Sequence, residues 1–389
     1  MGPQDIYLDN ASTSFPKAAG VAEAMGRFVT DIGCNVARGS YGPAFEALDV
    51  VWETRERLCA LLGHDDPRRV VFTANVTVSL NMLLKGLLKP GDHVLVSCLE
   101  HNAVMRPLTQ LTSMGVAFDR IPLAGNGQLD LAAAQGLIGP RTRAICMTHA
   151  SNVSGAVLPA AQVGHMARRH GLFFILDVAQ TAGFLDLDRE ALGADALAFT
   201  GHKGLMGPQG VGGMALSRRL SDALEPLISG GTGSMSDSEA VPGVMPDRLE
   251  AGTPNLPGLF GLHAALGALM ERGLAPLRRR EIDLAQRLEA GLAGLPALRL
   301  LAPPWFDLDG EPLRTPIISA DCLGRDNAEV SFRLADEHHI LTRCGLHCAP
   351  SAHRAYGTFP GGTVRFAVSH SNTEDDIDAA IAAMTALLA

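Results

Sequence analysis

The chain has 389 residues, of which 47% are hydrophobic, enough apolar material for one large core and a smaller appended domain. A formal net charge of −9, unclustered, leaves no basic stripe for nucleic acid, and no apolar run reaches membrane-spanning length. The seven cysteines lack a disulfide-scaffold spacing, and the opening M-G-P-Q-D-I has no basic n-region, apolar h-region or myristoylation signal, so a reducing, cytoplasmic setting is expected.

In chain order, Ile6 to Leu8 reads as a short extended piece, and Asn10 to Pro16 as a turn-rich loop. Helical periodicity runs from about Ala18 to Val29 and again from Pro43 to Leu62. Val70 to Thr73 is a predicted strand, and Asn75, Val76 and Thr77 then open a helical pattern. Backbone N–H groups near Thr77 therefore sit at a helix N-terminus, which suits a phosphate, although Asn75 or Thr77 acting only as an N-cap would need no ligand.

Strands are predicted over His93 to Cys98, closing on Glu100, His101 and Asn102, and over Arg143 to His149, closing on Asn152. Phe173 to Val178 is an apolar run carrying one acid, Asp177, with Gln180 just beyond. A carboxylate at a buried strand end is costly unless it faces a cation or closes a local turn. Ala196 to Phe199 is a further strand that stops at Thr200, Gly201 and His202 and places Lys203 on the loop. In that glycine-rich, uncharged segment low dielectric would depress the lysine's pKa and free its amine for a Schiff base, whereas a solvated loop lysine would have no such role. Thr77, His101, Asn152, Asp177 and Lys203 all fall at or just after strand ends, the edge of an open α/β sheet where ligands bind.

Beyond the sheet pattern, the Pro/Gly/Ser-rich loop from Ser229 to Pro246 is expected to cover the site or a subunit boundary. A helix-rich connector from Leu259 to Leu295 leads to a second domain, with strand candidates at Pro316 to Ser319, near Ile340 and at Thr363 to Val368. No internal repeat or low-complexity tract is present.

The ordered motifs F-T-G-H-K-G at Lys203, L-D-V-A-Q at Asp177, E-H-N-A at Glu100, S-N-V-S-G at Ser151, E-A-G-T-P-N at Glu250 and R-C-G-L-H-C-A-P at Arg343 resemble the class V aminotransferase family of pyridoxal-phosphate enzymes. Within it they are most similar to the cysteine desulfurase and selenocysteine lyase branch, from Tyr7 to Asp378. The resemblance implies the α/β architecture of PLP-dependent fold type I. A large domain over 15–265 would hold a mostly parallel seven-stranded sheet flanked by helices, and a smaller α+β domain would be built from 1–14 and 266–389. It implies pyridoxal 5'-phosphate as cofactor, with Lys203 as the Schiff-base lysine and proton shuttle. His101 would stack on the ring, Asp177 would pair with the ring nitrogen, and Gln180 would bond the phenolic oxygen. Thr77, Thr200 and His202 would hold the phosphate, with Val76 able to contribute only backbone and Thr253 coming from the neighbouring subunit of a homodimer. Arg365 would clamp the amino acid's carboxylate, with Asn152 helping.

The same resemblance makes Cys348 the residue that decides the reaction, since desulfuration needs a thiol and transamination does not. L-Cysteine would become L-alanine, or L-selenocysteine would be the substrate in the lyase variant, with sulfur passing to a Cys348 persulfide and on to a sulfur-acceptor protein. His347 is the expected neighbour that helps form the thiolate. Other possibilities are a class V aminotransferase or lyase that leaves the thiol unused, a structural role for Cys348, and a metal site built from Cys344, Cys348 and His353 with His338 and His339 nearby. The last lacks ligand spacing, and no metal is expected. Two departures stand out: Leu346 replaces a histidine common in the sulfur-mobilising branch, and Cys344 adds a second thiol. The short segment from Cys348 to Arg365 resembles a compact cysteine loop, which restricts reach and implies slow turnover without a docked acceptor.

Overall fold

A computed structural model describes every residue except 1, 3, 37, 38 and 126, so the glycine-rich stretch near Arg38 lies partly outside the described residues. Its strands are β1 (Ile6–Tyr7), β2 (Val70–Thr73), β3 (His93–Ser97), β4 (Ala117–Ile121), β5 (Thr142–Thr148), β6 (Phe173–Asp177), β7 (Ala196–Thr200), β8 (Gly212–Leu216), β9 (Leu298–Leu301), β10 (Ile317–Cys322), β11 (Ile340–Leu341), β12 (Arg343–Gly345) and β13 (Thr363–Ala367).

Seven of them form one sheet in the order β2-β8-β7-β6-β5-β3-β4. The pairs β3–β4, β3–β5, β5–β6 and β6–β7 are parallel, and only β8 runs against its neighbours β7 and β2. Strands β6, β7 and β8 are buried along their whole length, as the apolar runs F-F-I-L-D and A-L-A-F-T require of strands covered on both faces. Alternate residues feed opposite layers: Val94, Val96, Ala144, Cys146, Ile175, Ala196 and Ala198 join one core. Leu95, Ile145, Met147, Phe174, Leu176, Leu197 and Phe199 join the other.

A second sheet, β12-β13-β10-β9, packs against the helices Leu274–Ala293 and Glu374–Leu388 around a third core. The chain's first strand is stitched to this sheet's neighbourhood: β1 pairs in parallel with β11, and Asp9 bridges to Ala367. That stitching carries Asp9 and Ser12 across more than 330 residues of sequence to Arg343 and Arg365.

Sequence patterning missed β4 and β9. Both are short edge strands with charges inside them, A-F-D-R-I and L-R-L-L, so neither has a clean apolar period. The helix expected from Ala18 to Val29 is an α-helix over Val21–Arg27 that widens to a π-turn over Phe28–Ile32 and ends at Gly33 with φ 56°. The connector from Leu259 is two helices, Leu256–Arg272 and Leu274–Ala293, hinged at Gly273 with φ 75°. Among the described residues no helix is long and apolar enough to cross a membrane.

Candidate active site

The C-terminal ends of the parallel strands deliver side chains to one edge of the large sheet. The reach from β7 to Lys203 is set by a tight loop in which the Lys203 carbonyl accepts from Met206 N–H at 2.7 Å. Gly183, at φ 84°, and Gly204 lie back to back beside it: a Cβ on Gly183 would come within 2.3 Å of the Gly204 oxygen, so neither position admits a side chain. The preceding His202 carbonyl is held from the N-terminal loop by Ser14 N–H at 2.9 Å, Thr13 Oγ1 at 3.1 Å and Lys17 Nζ at 3.0 Å.

Burial lowers the Lys203 amine to about 8, against the pull of Asp177, with Arg365 and Arg343 adding to the decrease. Asp177 is buried at the end of β6 and its pKa is raised by that burial, an effect opposed by the Ala179 N–H that Oδ1 accepts at 2.9 Å and by the Lys203 charge. It therefore closes a local turn and keeps a second oxygen for a cation. Its neighbour Glu100, whose chemistry the sequence left unread, is fully buried and pushed up to about 8; it accepts from the Ser97 hydroxyl and from Thr148 N–H at 3.0 Å.

At the phosphate end, the helix Val76–Leu87 is capped by Asn75, whose Oδ1 accepts from Val78 N–H at 3.1 Å. The first-turn N–H groups of Val76 and Thr77 have no acceptor within the helix. Gly212 of β8 passes against this start, where a Cβ would sit 2.7 Å from Asn75 Cα. Thr200 Oγ1 and His202 Nδ1 are both buried without a hydrogen-bond partner among the described residues. Buried polar atoms are almost always paired, so two orphans at the end of β7, where Thr200 pairs with the Gly212 that lies against Asn75, are residues that would fit a phosphate group. Burial, then Lys203 and Lys17, hold the His202 ring at about 4, so it stays neutral.

His101 caps the helix Asn102–Thr112 through Nδ1, which accepts from Ala103 N–H at 3.0 Å. That bond leaves the proton on Nε2, and burial followed by the Lys203 charge lowers the ring to about 4. Gln180 Nε2 donates to the Ala11 carbonyl at 3.1 Å. Thr253 stands apart from this group within the chain: it is exposed, and its hydroxyl accepts from Asn35 Nδ2 at 3.4 Å.

The carboxylate end is more heavily built than the sequence suggested. Arg365 on β13 is buried, donating to the Asn152 carbonyl at 2.9 Å, to Asp9 Oδ1 at 2.7 Å and to Ser12 Oγ at 2.8 Å, while its Nε is buried with no partner among the described residues. Arg343 on β12 pairs with Arg365 in register and reaches the same Ser12 hydroxyl at 2.9 Å. Asp9, Ser12 and Arg343 are site residues that sequence reasoning missed; Arg343 opens the very motif that carries Cys348, and that adjacency was the available signal.

Cys348 is exposed, with its sulfur 3.9 Å from Arg343 Nη2. The expected help from His347 is not what the fold builds. The His347 ring is buried with Nδ1 3.3 Å from His353 Nε2 and Nε2 3.4 Å from the Arg343 carbonyl, and burial drives its pKa far down. Consecutive residues in a turn send their side chains apart, so the guanidinium of Arg343, and not the imidazole, is the charge beside the thiol. His353 uses its other nitrogen on Thr358 Oγ1 at 2.7 Å, so every ring nitrogen of the two histidines has a partner.

A family profile described as Aminotransferase class-V matches residues 6–380. A probable cysteine desulfurase of Methanothermobacter thermautotrophicus is 30% identical over 376 residues, covering 96% of this chain and 92% of that protein. Among solved structures, the apo cysteine desulfurase of Thermococcus onnurineus NA1 superposes with a TM-score of 0.90 at 30% identity, covering 99% of this chain and 94% of its own. The cysteine desulfurase CsdA of Escherichia coli, in an S-sulfonic acid form, does so with a TM-score of 0.87 at 30% identity over 99% and 96% of the two chains.

Proposed function

The chain belongs to the class V aminotransferase family, and from that premise we propose that it is a pyridoxal-phosphate-dependent cysteine desulfurase that converts L-cysteine to L-alanine and takes the sulfur onto Cys348. The observation that carries the reading is convergence on one loop: Thr13 and Ser14 hold the His202 carbonyl beside Lys203, Ser12 accepts from Arg365 and Arg343, and Arg343 lies 3.9 Å from the exposed Cys348 sulfur.

In this reading Thr200, His202 and the N–H groups of Val76 and Thr77 hold the phosphate. Asp177 would pair with the ring nitrogen, Gln180 would bond the phenolic oxygen, and His101 would lie against the ring. When bound, the cofactor supplies an electron sink for charge left at the substrate's Cα. Arg365 and Asn152 orient the substrate carboxylate. Lys203, poised near neutrality, takes the Cα proton. The Cys348 thiolate then attacks the substrate's Sγ: an S–S bond forms, the Cβ–Sγ bond breaks and leaves its electron pair with the carbon skeleton, Cβ gains a proton, and Lys203 returns one to Cα as alanine forms. The enzyme is left as a Cys348 persulfide, which an acceptor protein relieves. A reducing cytoplasm would keep Cys348 and the nearby Cys344 as free thiols.

The two-domain division at about residue 265 goes with this chemistry, because it sets Lys203 and Cys348 on separate units that meet at the cleft. A homodimer is supported by Phe45, Leu48 and Trp52, which with the N-cap Tyr41 lie exposed along one face of the helix Gly42–Leu62 while Ala44, Ala47, Val51 and Leu58 are buried on the other. The exposed Thr253 then belongs to the partner's phosphate site. Sedimentation of Phe45→Glu is expected to give monomer where the wild type gives dimer.

The deciding experiment incubates the cofactor-loaded protein with L-cysteine and assays alanine together with persulfide on Cys348. Equal amounts of the two in single turnover are expected, and Cys348→Ser abolishes both. Pyruvate or a keto acid as product would overturn the assignment.

A further inference from the structure

The backbone at the nucleophile is strained. His347 and Cys348 are consecutive non-glycine residues with φ of 49° and 56°, left-handed conformations that side chains disfavour and that persist only when the surroundings enforce them. Two hydrogen bonds from the large sheet's edge supply that enforcement. Asn152 Nδ2 donates to the His347 carbonyl at 2.7 Å, and the backbone N–H of Asn102 donates to the Cys348 carbonyl at 2.7 Å. Of the two, only the Asn152 bond comes from a side chain. The amide that the reaction assigns to the substrate's carboxylate thus gives one of its two N–H groups, in this state, to the loop that carries the thiol.

We infer that Asn152 is a positioning residue for Cys348: its amide pins the nucleophile's loop, and a substrate carboxylate arriving at Arg365 draws that amide away and frees the loop to move toward the substrate's sulfur. The pinning stands on the geometry alone; the handover rests on the desulfurase reading. The Nδ2 amino group carries two N–H donors on one nitrogen, so a carboxylate at Arg365 that turns this group toward itself lengthens the 2.7 Å bond to the His347 carbonyl, and substrate binding loosens the loop's anchor. The coupling explains how a short loop with little reach can hold the thiol back while the site is empty and release it when the site is filled.

Hydrogen–deuterium exchange of the cofactor-loaded protein over residues 346–350 and 101–103 tests this. Asn152→Asp keeps the side chain's shape but replaces the donor with an acceptor, and Asn152→Ala is the second variant should Asp disturb folding. Without any substrate, exchange over both segments is expected to rise about tenfold in the variant, the scale for losing one hydrogen bond that holds a local opening. Saturating L-alanine, which carries the carboxylate without sulfur, is expected to raise exchange in the wild type toward the variant's rate and to leave the variant unchanged. Equal rates in wild type and both variants would overturn the pinning, and a wild-type loop slowed by L-alanine would overturn the handover. The variant arm uses no substrate, so its failure is distinct from failure of the desulfurase assignment, which alanine release from L-cysteine checks separately.

Discussion

Arg365 Nη2 donates to Asp9 Oδ1 at 2.7 Å, so the guanidinium proposed to receive a substrate carboxylate already holds a carboxylate from its own chain. The pairing makes a buried cation tolerable, and the Ser12 hydroxyl and Asn152 carbonyl fix its plane. What is left for a ligand is the second N–H of Nη1 and the buried Nε, which has no partner among the described residues.

Arg365→Lys keeps the charge but has no planar fork and no second nitrogen to be held by Asp9 while another binds substrate. The KM for L-cysteine is expected to rise about 10- to 100-fold, the range for losing a hydrogen bond to a charged group. Alanine formation against L-cysteine concentration measures it, and an unchanged KM would remove Arg365 from substrate binding.

Lys203 links the site to pH. Burial lowers its pKa from 10.5 to about 8, so the folded chain binds fewer protons there than the unfolded one. The resulting cost to stability is full below about pH 8 and fades as pH rises toward 10.5. Cofactor-free Lys203→Met is therefore expected to be more stable than cofactor-free wild type at pH 7, by about 1–3 kcal/mol after allowance for partial exposure. Urea unfolding at pH 7 and near pH 10 checks it: the gap should narrow at the higher pH, and a gap independent of pH would contradict a cost that arises from burying the charged amine.

Thr200 offers a test of the phosphate cradle that reads in two directions. Its hydroxyl is buried and unsatisfied without a ligand, so Thr200→Val is expected to leave the cofactor-free protein as stable as wild type or slightly more so. With cofactor the sign reverses, and retention should weaken about tenfold for the lost donor. Equilibrium dialysis followed by the cofactor's absorbance measures the second effect; equal retention would place the phosphate elsewhere.

The thiol's environment separates Arg343 from His347. Arg343→Gln removes the cation 3.9 Å from the Cys348 sulfur and is expected to slow iodoacetamide alkylation at neutral pH about 3- to 10-fold. His347→Ala, whose ring faces His353 instead, should leave that rate near the wild-type value. The opposite ranking would restore the imidazole as the activating group.

The large sheet, and the half of the site that hangs from it, could be read from the order of the residues alone. Runs such as F-F-I-L-D and A-L-A-F-T are apolar throughout because strands covered on both faces must be, and each ends where a polar residue, Asp177 or Lys203, takes over. That local switch from burial to chemistry is written residue by residue, and so it was legible. The tertiary structure alone decided the carboxylate end. Asp9 and Ser12 meet Arg343 and Arg365 only because β1 pairs with β11 and Asp9 bridges to Ala367, a long-range register that no local pattern encodes. The same holds for Cys348: its chemistry could be guessed from its motif, but which group stands beside its sulfur depends on where a left-handed turn points two adjacent side chains, and that turn is imposed by hydrogen bonds from residues about 200 positions away.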